Sequence, residues 1–412
     1  MVEFRDYQKD IIKQALDILK VNRFVYLAME VRTGKTLTSL GCASFIKSVQ
    51  NVLFITKKKA ISSIKSDYDL LNPGYEITII NYESLHKISN KGWDLIVVDE
   101  AHGLGAFPKP SRRAKDIKTL IQFNNPYVIF LSGTPTPESY SQMYHQVYGL
   151  PNNPFSKYSN FYKFAKDWVY VVQRKINGFN VNDYSSGKEA IIRMMRPYTI
   201  SFTQKSAGFE SSIEEEILTV RMKPITYTLC RAIKKDLVIE GENEVILADT
   251  GAKLMSKMHQ LYSGTVKFES GKSKVIDYTK AEFVKDRFKD KRIGMFYKFK
   301  AELDAIKTVF GNDVCDNLED FDSGKCQHIA LQIVSGREGI SLRNADFIVF
   351  YNIDFSATSY WQARDRMTTK DRKHNKVYWI FSEFGIERKI HNAVSSKKDY
   401  TLKHFKNDLL YL

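Results

Sequence analysis

The first part of the chain alternates short runs of apolar, β-branched residues with longer stretches of helical periodicity. Each apolar run predicts a strand, because about four to eight such residues suit a strand that is buried on both faces. The stretches between them predict helices, as at Tyr7–Lys20 and Leu37–Val49. Strands that alternate with helices indicate a parallel sheet with helices on both faces. The predicted strands are Phe24–Leu27, Val52–Ile55, Ile77–Ile80, Leu95–Val98 and Val128–Leu131.

The pattern changes at Pro151–Pro154, where Pro-Asn-Asn-Pro indicates a loop. The segment that follows, up to about Phe209, is rich in aromatic and basic residues and is predicted to be mostly helical, with a hairpin at Asn177-Gly178. From about Ile217 strands and helices alternate again. The predicted strands there are Ile293–Tyr297, His328–Val334, Phe347–Tyr351 and Val377–Phe381. The sequence therefore predicts two α/β lobes and a small helical insertion, at 1–150, 216–412 and 151–215.

Composition agrees with two globular lobes and adds a strong positive charge. The chain has 412 residues, of which 43 % are hydrophobic, enough for each lobe to bury a core. Its formal net charge of +15 predicts an anionic partner, with nucleic acid first and a membrane surface second, and a generally basic enzyme as the alternative. Met1–Asp6 has no apolar segment of a secretion signal, and no apolar run is long enough to span a membrane. We expect a cytoplasmic monomer that binds no membrane.

The cysteines offer no recognisable metal site. None of the four, Cys42, Cys230, Cys315 and Cys326, belongs to a CxxC pair. We therefore expect reduced thiols and no zinc.

The first candidate functional motif is Thr33–Thr36, with the sequence Thr-Gly-Lys-Thr, which follows a predicted strand and precedes a predicted helix. Such a loop binds phosphate through backbone N–H groups at the helix N-terminus. Lys35 would reach the β- and γ-phosphates, and Thr36 would give its hydroxyl to Mg²⁺. The first glycine of the full pattern is replaced by Met29, and an ordinary Gly-Lys helix start remains the alternative.

A second motif, Asp99-Glu100-Ala101-His102, directly follows the apolar strand Leu95–Val98. Carboxylates at the carboxyl end of a strand lie at the edge where α/β sheets bind ligands. Asp99 would hold Mg²⁺ through water, and Glu100 would orient or deprotonate the attacking water. The two motifs together predict a site for hydrolysis of a nucleoside triphosphate.

With these two motifs, four more segments of the first lobe resemble superfamily 2 helicases and translocases, and more closely the Snf2-like branch. They are Phe4–Gln8, Leu53–Lys57, Ile80–Glu83 and Leu131–Pro135. The resemblance implies the following roles for residues of the first lobe. Nucleotide binding falls to Arg5, Gln8, Thr33, Gly34, Lys35 and Thr36, nucleic-acid contact to Thr56, Lys57 and Lys58, and coupling of the two sites to His102, Ser132 and Thr134.

The second lobe resembles the same family at Met295–Phe299, Ser335–Leu342 and Gln362–Arg366. The resemblance implies that Ser335 and Arg337 contact nucleic acid and that Gly339 takes part in coupling. At the third segment, the resemblance implies that Gln362 and Arg366 act in catalysis, with Arg366 as an arginine finger.

The same segment departs from the family pattern at Thr369, which replaces a further arginine of the family. Arg364, Lys370 or Arg372 could compensate for that arginine. A solvated basic helix or a DNA contact is the alternative interpretation of Arg364 and Arg366.

The resemblance implies two tandem RecA-like lobes that use ATP and Mg²⁺ to move on duplex or branched DNA, with single-stranded DNA also possible. The loop His102–Ser111 resembles that of phage-encoded members and is a further candidate for DNA contact. The compact form of the chain also resembles those members, which implies a role in phage DNA replication, recombination or repair. Two alternatives remain: an RNA helicase, and a non-hydrolysing, ATP-gated nucleic-acid clamp. The aromatic residues of the insertion, Phe161, Phe164 and Trp168, could stack on bases, but a hydrophobic core is the favoured interpretation.

Overall fold

The computed structural model describes residues 3–90, 92–176, 179–208, 212–241, 243–336, 342–364 and 374–396. The chain forms two compact units, Met1–Phe209 and Glu210–Leu412. In the described part of each unit, six parallel strands form one sheet. Helices flank both sheets, as the alternating sequence pattern predicts.

The first unit has the strand order β3-β2-β4-β5-β1-β8 in its sheet. Its strands are β1 (Phe24–Met29), β2 (Asn51–Thr56), β3 (Glu76–Asn81), β4 (Leu95–Asp99), β5 (Tyr127–Leu131), β6 (Val172–Ile176), β7 (Phe179–Asp183) and β8 (Thr199–Phe202). Its helices are α1 (Asp6–Asn22), α2 (Lys35–Ser44), α3 (Ile61–Leu71), α4 (Arg112–Asn124), α5 (Met143–Val147), α6 (Phe161–Trp168) and α7 (Ala190–Met195). Every strand predicted for this lobe is confirmed, and the observed strands extend one or two residues further.

The central strands of this sheet are buried on both faces. In β4, Leu95, Ile96, Val97 and Val98 are all 0 % exposed. Successive side chains point to opposite faces, so Ile96 and Val98 join one core while Leu95 and Val97 join the other. Two apolar layers therefore fix the register of β4 and with it the position of the residues that follow the strand.

The insertion is only partly helical. Between α6 and α7 the antiparallel strands β6 and β7 form the predicted hairpin. Phe161 and Phe164 are buried and pack in the same core as β4 and β5, which confirms the core interpretation of these aromatics. After α7 the chain returns to the sheet as β8, which pairs in parallel with β1. The sequence did not predict β8.

The second unit has the strand order β15-β16-β14-β17-β18-β9 in its sheet. Its strands are β9 (Ser212–Val220), β10 (Val238–Glu240), β11 (Val245–Leu247), β12 (Thr265–Lys267), β13 (Ser273–Val275), β14 (Ile293–Tyr297), β15 (Val314–Cys315), β16 (His328–Gln332), β17 (Phe347–Phe350) and β18 (His374–Ser382). Its helices are α8 (Pro224–Asp236), α9 (Gly251–Tyr262), α10 (Thr279–Arg287), α11 (Lys300–Phe310), α12 (Leu318–Asp322), α13 (Ile333–Gly336), α14 (Ala357–Arg364) and α15 (Glu387–Ser395). The predicted strand at His328 ends earlier than expected, because Ile333 already begins a helical turn.

The expectation of four reduced cysteines is wrong for one pair. Cys315 and Cys326 form a disulfide, with their Cα atoms 6.1 Å apart. Cys315 ends β15 and Cys326 lies just before β16, and these strands are neighbours in the sheet. Cys42 and Cys230 are buried free thiols. Among the described helices, none is both long and apolar enough to cross a membrane.

Candidate active site

The predicted phosphate loop connects β1 to α2. Gly34 precedes the first residue of α2 and has the left-handed φ of +79°. A Cβ atom at this position would lie 2.6 Å from Nε2 of Gln8. Both the backbone conformation and the close approach therefore require glycine. Lys35 and Thr36 occupy the first turn of α2, where unpaired backbone N–H groups favour an anion.

The missing first glycine of the loop has a structural explanation. Met29 is still part of β1, is 0 % exposed and pairs with Phe202 of β8. The next residue, Glu30, accepts a hydrogen bond from the backbone N–H of Gln204 at 2.7 Å, and the side chain of Gln204 donates to the carbonyl of Val31 at 3.0 Å. The strand β8 and the residues after it thus support the phosphate loop from one side, a role that no motif in the sequence indicates.

Lys35, Asp99 and Glu100 form one charged cluster at the carboxyl edge of the sheet. The Nζ atom of Lys35 lies 3.1 Å from Oε1 of Glu100 and 3.8 Å from Oδ1 of Asp99. Glu100 has the positive φ of 53°, which a residue with a Cβ rarely adopts. A costly backbone conformation that aims a carboxylate at the phosphate loop is typical of functional sites. The two motifs predicted from the sequence are thus brought together.

The two carboxyl groups respond differently to this environment. Burial raises the pKa of Asp99, and the more distant charge of Lys35 does not fully offset it. Burial also opposes ionisation of Glu100, but Lys35, with His102 and Lys57, lowers the pKa of Glu100 to about 2. Glu100 is therefore an ionised carboxylate across the physiological pH range.

Asp99 is held by two neighbours from adjacent strands. The hydroxyl of Thr56, the last residue of β2, donates to Oδ2 of Asp99 at 2.9 Å, and the hydroxyl of Tyr82 donates to the carbonyl of Asp99. Thr56 is 0 % exposed. The hydroxyl of Thr56 is thus buried beneath the acidic cluster, where it orients Asp99, and the predicted contact of Thr56 with nucleic acid stays a prediction. Lys57 is half-buried and Lys58 is exposed.

The residues predicted to couple the two sites lie together. His102 Nδ1 is 3.0 Å from the hydroxyl oxygen of Ser132 and 3.3 Å from Oε2 of Glu100. The backbone N–H of Thr134 donates to the same Ser132 oxygen at 3.1 Å. The imidazole of His102 therefore lies between Glu100 and the loop after β5, and it is hydrogen-bonded to the loop side through Ser132.

Arg5 and Gln8 lie at the start of α1, beside the phosphate loop. The side chain of Gln8 is buried, accepts from the backbone N–H of Arg5 at 3.0 Å and donates to Oγ1 of Thr38 at 3.3 Å. The hydroxyl of Tyr7 donates to the carbonyl of Thr33 at 3.1 Å. Tyr7 is a further loop contact that the sequence interpretation did not include, although it lies inside the opening motif.

The donor set suits Mg²⁺ with a nucleoside triphosphate. Oδ1 of Asp99 is buried without a hydrogen-bond partner, which is costly unless a cation or water contacts it. A carboxylate and a hydroxyl are ligands that Mg²⁺ prefers, and Thr36 offers the hydroxyl on the first turn of α2. Lys35 supplies the countercharge for phosphate.

The candidate residues of the second unit follow two of its strands. Ser335 lies in α13 after β16, and Gln362 lies in α14 after β17. Arg337, Gly339 and Arg366 lie outside the described residues. Their predicted roles, like those of the other candidate residues, stay predictions.

Comparison with known families agrees with this arrangement. Residues 8–262 match the SNF2-related domain, which covers more than half of the chain. The chain belongs to the SNF2-related family. A second match, to the helicase conserved C-terminal domain, covers residues 280–368 of this SNF2-related protein. It is accordingly a helicase-type ATPase core built on two RecA-like lobes.

Similar curated proteins are much longer. The chain is 22 % identical over 370 residues to a probable chromatin-remodeling complex ATPase chain of Oryza sativa subsp. japonica, covering 78 % of this chain and 31 % of that protein. It is 21 % identical over 385 residues to the CHD3-type chromatin-remodeling factor PICKLE of Arabidopsis thaliana, covering 84 % and 26 %. The chain thus spans about a third or less of the length of these relatives.

Similar solved structures include two from Sulfolobus solfataricus. The Sulfolobus solfataricus SWI2/SNF2 ATPase core in complex with dsDNA has 15 % identity and a TM-score of 0.44, over 99 % of this chain and 93 % of that one. The core domain of the same organism has 16 % identity and a TM-score of 0.45, over 96 % and 89 %.

Proposed function

We propose that this SNF2-related protein is a DNA-dependent ATPase that uses ATP hydrolysis to move on, or remodel, duplex or branched DNA. The observation that carries the proposal is the cluster of Lys35, Asp99 and Glu100 at the carboxyl edge of the first sheet. Its three charged groups are the ones that a phosphate, a metal ion and an attacking water need.

Each residue of the cluster has a defined part in the proposed reaction. Lys35 binds the β- and γ-phosphates, and in doing so it leaves its ion pair with Glu100. Thr36, and Asp99 through water, would hold Mg²⁺, which would supply positive charge beside the phosphates. Glu100 accepts a hydrogen bond from the attacking water. Losing Lys35 as its nearest countercharge raises the basicity of Glu100 when a nucleotide binds.

We propose that the second unit supplies Gln362 and Arg366 to the same reaction. A guanidinium that stabilises charge on the transferred phosphoryl group is a usual requirement of this chemistry. Arg364 is bound by Glu215 of its own unit at 2.8 Å, which favours Arg366 over Arg364 for that part. Arg366→Ala should therefore lower kcat by about 100-fold or more while nucleotide binding persists.

DNA is the proposed track because the chain carries a net charge of +15 and a basic turn follows β2. Lys57, Lys58, Ser335 and Arg337 are the proposed backbone contacts. Contacts to phosphates position a protein without reading bases, as movement along DNA requires. The resemblance of the loop after His102 to phage-encoded relatives supports a role in DNA replication, recombination or repair in an infected cell.

The deciding experiment measures ATP hydrolysis with single-stranded, duplex and branched DNA and with RNA as competing activators. We expect duplex or branched DNA to stimulate hydrolysis most. Stronger stimulation by RNA would make the protein an RNA helicase. Nucleic-acid binding that depends on ATP without any turnover would make it a clamp.

Two variants assign the chemistry to the cluster. Lys35→Ala should abolish hydrolysis, because the phosphates lose their cation. Glu100→Gln should still bind ATP but turn it over at least about 100-fold more slowly, because the amide cannot accept a proton from water. Wild-type turnover in either variant would remove that residue from its proposed part.

A further inference from the structure

A half-buried carboxylate, that of Glu215, accepts hydrogen bonds from two elements of the second unit, α14 and β18. Glu215 lies on the edge strand β9, and its side chain is 22 % exposed. Alternation along the strand places it on the same face as Ile213 and Ile217, which pack against the hydrophobic core. A charge on an apolar face is costly unless donors surround it.

Three donors meet that requirement. Both carboxylate oxygens are within 3.0 Å of the Tyr360 hydroxyl, the Arg364 guanidinium lies 2.8 Å from Oε1, and the Trp379 indole N–H lies 2.8 Å from Oε2. His391 Nε2 is more distant, at 3.8 Å. Burial opposes ionisation, but these neighbours outweigh it and lower the pKa of Glu215 to about 2.

Two of the three donors belong to α14, the helix that also carries Gln362. Tyr360 and Arg364 are four residues apart, so both project from the same face of the helix. Arg364 is the last described residue of α14, and Arg366 follows two positions later in the sequence. Glu215 therefore holds the C-terminal end of the helix that carries Gln362.

The helix depends on such contacts, because α14 has only 8 residues and a helix of that length is marginal by itself. Its other end is held separately. Asp354, just before α14, accepts from Ser359 Oγ at 2.7 Å and from Lys298 Nζ at 2.7 Å. Each end of the helix thus has its own carboxylate anchor.

We propose that Glu215 is a positioning residue for ATP hydrolysis, which fixes the C-terminal end of α14 through Tyr360 and Arg364 and so positions the helix that carries Gln362. This inference rests on the proposed function. Glu215 lies in the second unit, whereas the phosphate loop lies in the first. Its loss should therefore change turnover more than nucleotide binding.

The test compares Glu215→Gln with Glu216→Gln. The neighbouring Glu216 points to the other face of β9 and pairs with Lys376 at 2.9 Å, so it controls for the loss of one charge from the strand. Gln at 215 presents an N–H group to donors and leaves at least one of them unpaired. We expect amide hydrogens of α14 to exchange about 10-fold faster or more in Glu215→Gln. We expect kcat to fall by about 10- to 100-fold with the KM for ATP changed less than about twofold.

Tyr360→Phe is a milder variant for the case that Glu215→Gln fails to fold. It keeps the ring that stacks on Trp379, with centroids 5.1 Å apart, and removes only the hydroxyl donor. Tyr360→Phe should change amide exchange and kcat in the same directions as Glu215→Gln, but by smaller amounts.

Two results would overturn the proposal: unchanged amide exchange in α14 of Glu215→Gln, or faster exchange with a kcat equal to that of Glu216→Gln. If the wild-type chain hydrolyses no ATP, both the proposed function and the catalytic part of this inference are wrong. Amide hydrogen exchange in α14 then tests separately whether Glu215 holds that helix.

Discussion

One lysine neutralises two adjacent carboxyl groups at the end of β4, yet their pKa values shift in opposite directions. Lys35 Nζ is 3.1 Å from Glu100 but 3.8 Å from Asp99, and His102 and Lys57 also lower the pKa of Glu100. Burial and the neighbouring charge of Glu100 raise the pKa of Asp99. In the proposed reaction, nucleotide binding competes with the Lys35–Glu100 pair, since both need the same ammonium group. The ion pair stabilises the protein without nucleotide, and its replacement by phosphate contacts would raise the basicity of Glu100 towards the attacking water.

Replacing Glu100 by Gln should change how stability depends on pH. The folded-state pKa of Glu100 is lowered from 4.5 to about 2, so ionised Glu100 stabilises the fold above pH 4.5. That stabilisation is lost as the pH falls from about 4.5 towards 2. At neutral pH we expect Glu100→Gln to be less stable than the wild type by on the order of 1–3 kcal/mol, with the difference shrinking in acid. Urea unfolding across this pH range measures it.

Glu83→Gln is the matched control for that experiment. Glu83 pairs with Arg113 at the surface of the same unit, with 59 % of its side chain exposed. Exposed pairs contribute little, so this variant should follow the wild type within about 1 kcal/mol at every pH. A Glu100→Gln difference that does not change between neutral and acid pH would contradict the assigned ion pair.

Thr56→Val should impair hydrolysis without weakening DNA binding. The change removes the hydroxyl that orients Asp99 and keeps the buried volume. We expect kcat to fall by about 10-fold and the Mg²⁺ concentration for half-maximal activity to rise, because an outer partner of a metal ligand is lost. Thr119→Val, which removes a hydroxyl from the exposed face of α4, should change neither quantity. Weakened DNA binding with normal kcat would instead restore Thr56 to the nucleic-acid contacts.

At the scale of the element, the strands with continuous apolar runs were predictable, whereas β8 and β9, each at one end of a sheet, were not. β4 is recognisable because both of its faces are buried. β8 has only four residues and β9 has acidic residues on both faces, so neither has the apolar run that indicates a strand. The sequence cannot show that Lys376 of β18 pairs with Glu214 and Glu216, which makes the outer face of β9 compatible with a sheet.

In the candidate site, too, some residues could be predicted from the sequence and others could not. Lys35, Asp99 and Ser132 were predictable because each lies at or just after the carboxyl end of a buried strand, and the carboxyl ends of parallel strands meet at one edge. Gln204 and Glu215 were not, because their contacts join residues far apart in sequence and neither lies in a motif. The local sequence pattern therefore predicts the proposed reacting groups, whereas the residues that hold them in place can be identified only from the folded structure.

Gln204→Ala tests the support that β8 gives to the phosphate loop. It removes the side-chain hydrogen bond to the carbonyl of Val31 and leaves the backbone contact to Glu30. A lost neutral hydrogen bond corresponds to about 1 kcal/mol, so the KM for ATP should rise by roughly 3- to 10-fold. The exposed neighbour variant Lys205→Ala should leave it unchanged. Equal KM values for the two variants would show that the loop does not depend on this contact.

At the scale of the whole molecule, the net charge of +15 attracts the protein to DNA, its proposed track. Each lysine or arginine that neutralises a DNA phosphate releases a counterion, so affinity falls steeply as salt rises. Lys58 lies exposed in the turn after β2, where the proposed contacts begin. The contribution of Lys58 to DNA affinity can be separated from that of the net charge. A direct contact with a phosphate changes the slope of the salt dependence, whereas long-range attraction to the whole protein does not depend on this one lysine.

Lys58→Ala should weaken DNA binding and reduce the steepness of the salt dependence by about one counterion, whatever the DNA sequence. Lys20→Ala removes the same charge from an exposed helix end, where Lys20 pairs with Asp17 at 3.5 Å, and should leave the slope unchanged. Titrations of one duplex at several salt concentrations measure both slopes. If the two variants share the wild-type slope, Lys58 touches no phosphate and the turn after β2 only adds to the general field. If both slopes fall equally, net charge alone drives binding, and the proposed track along the first unit is wrong.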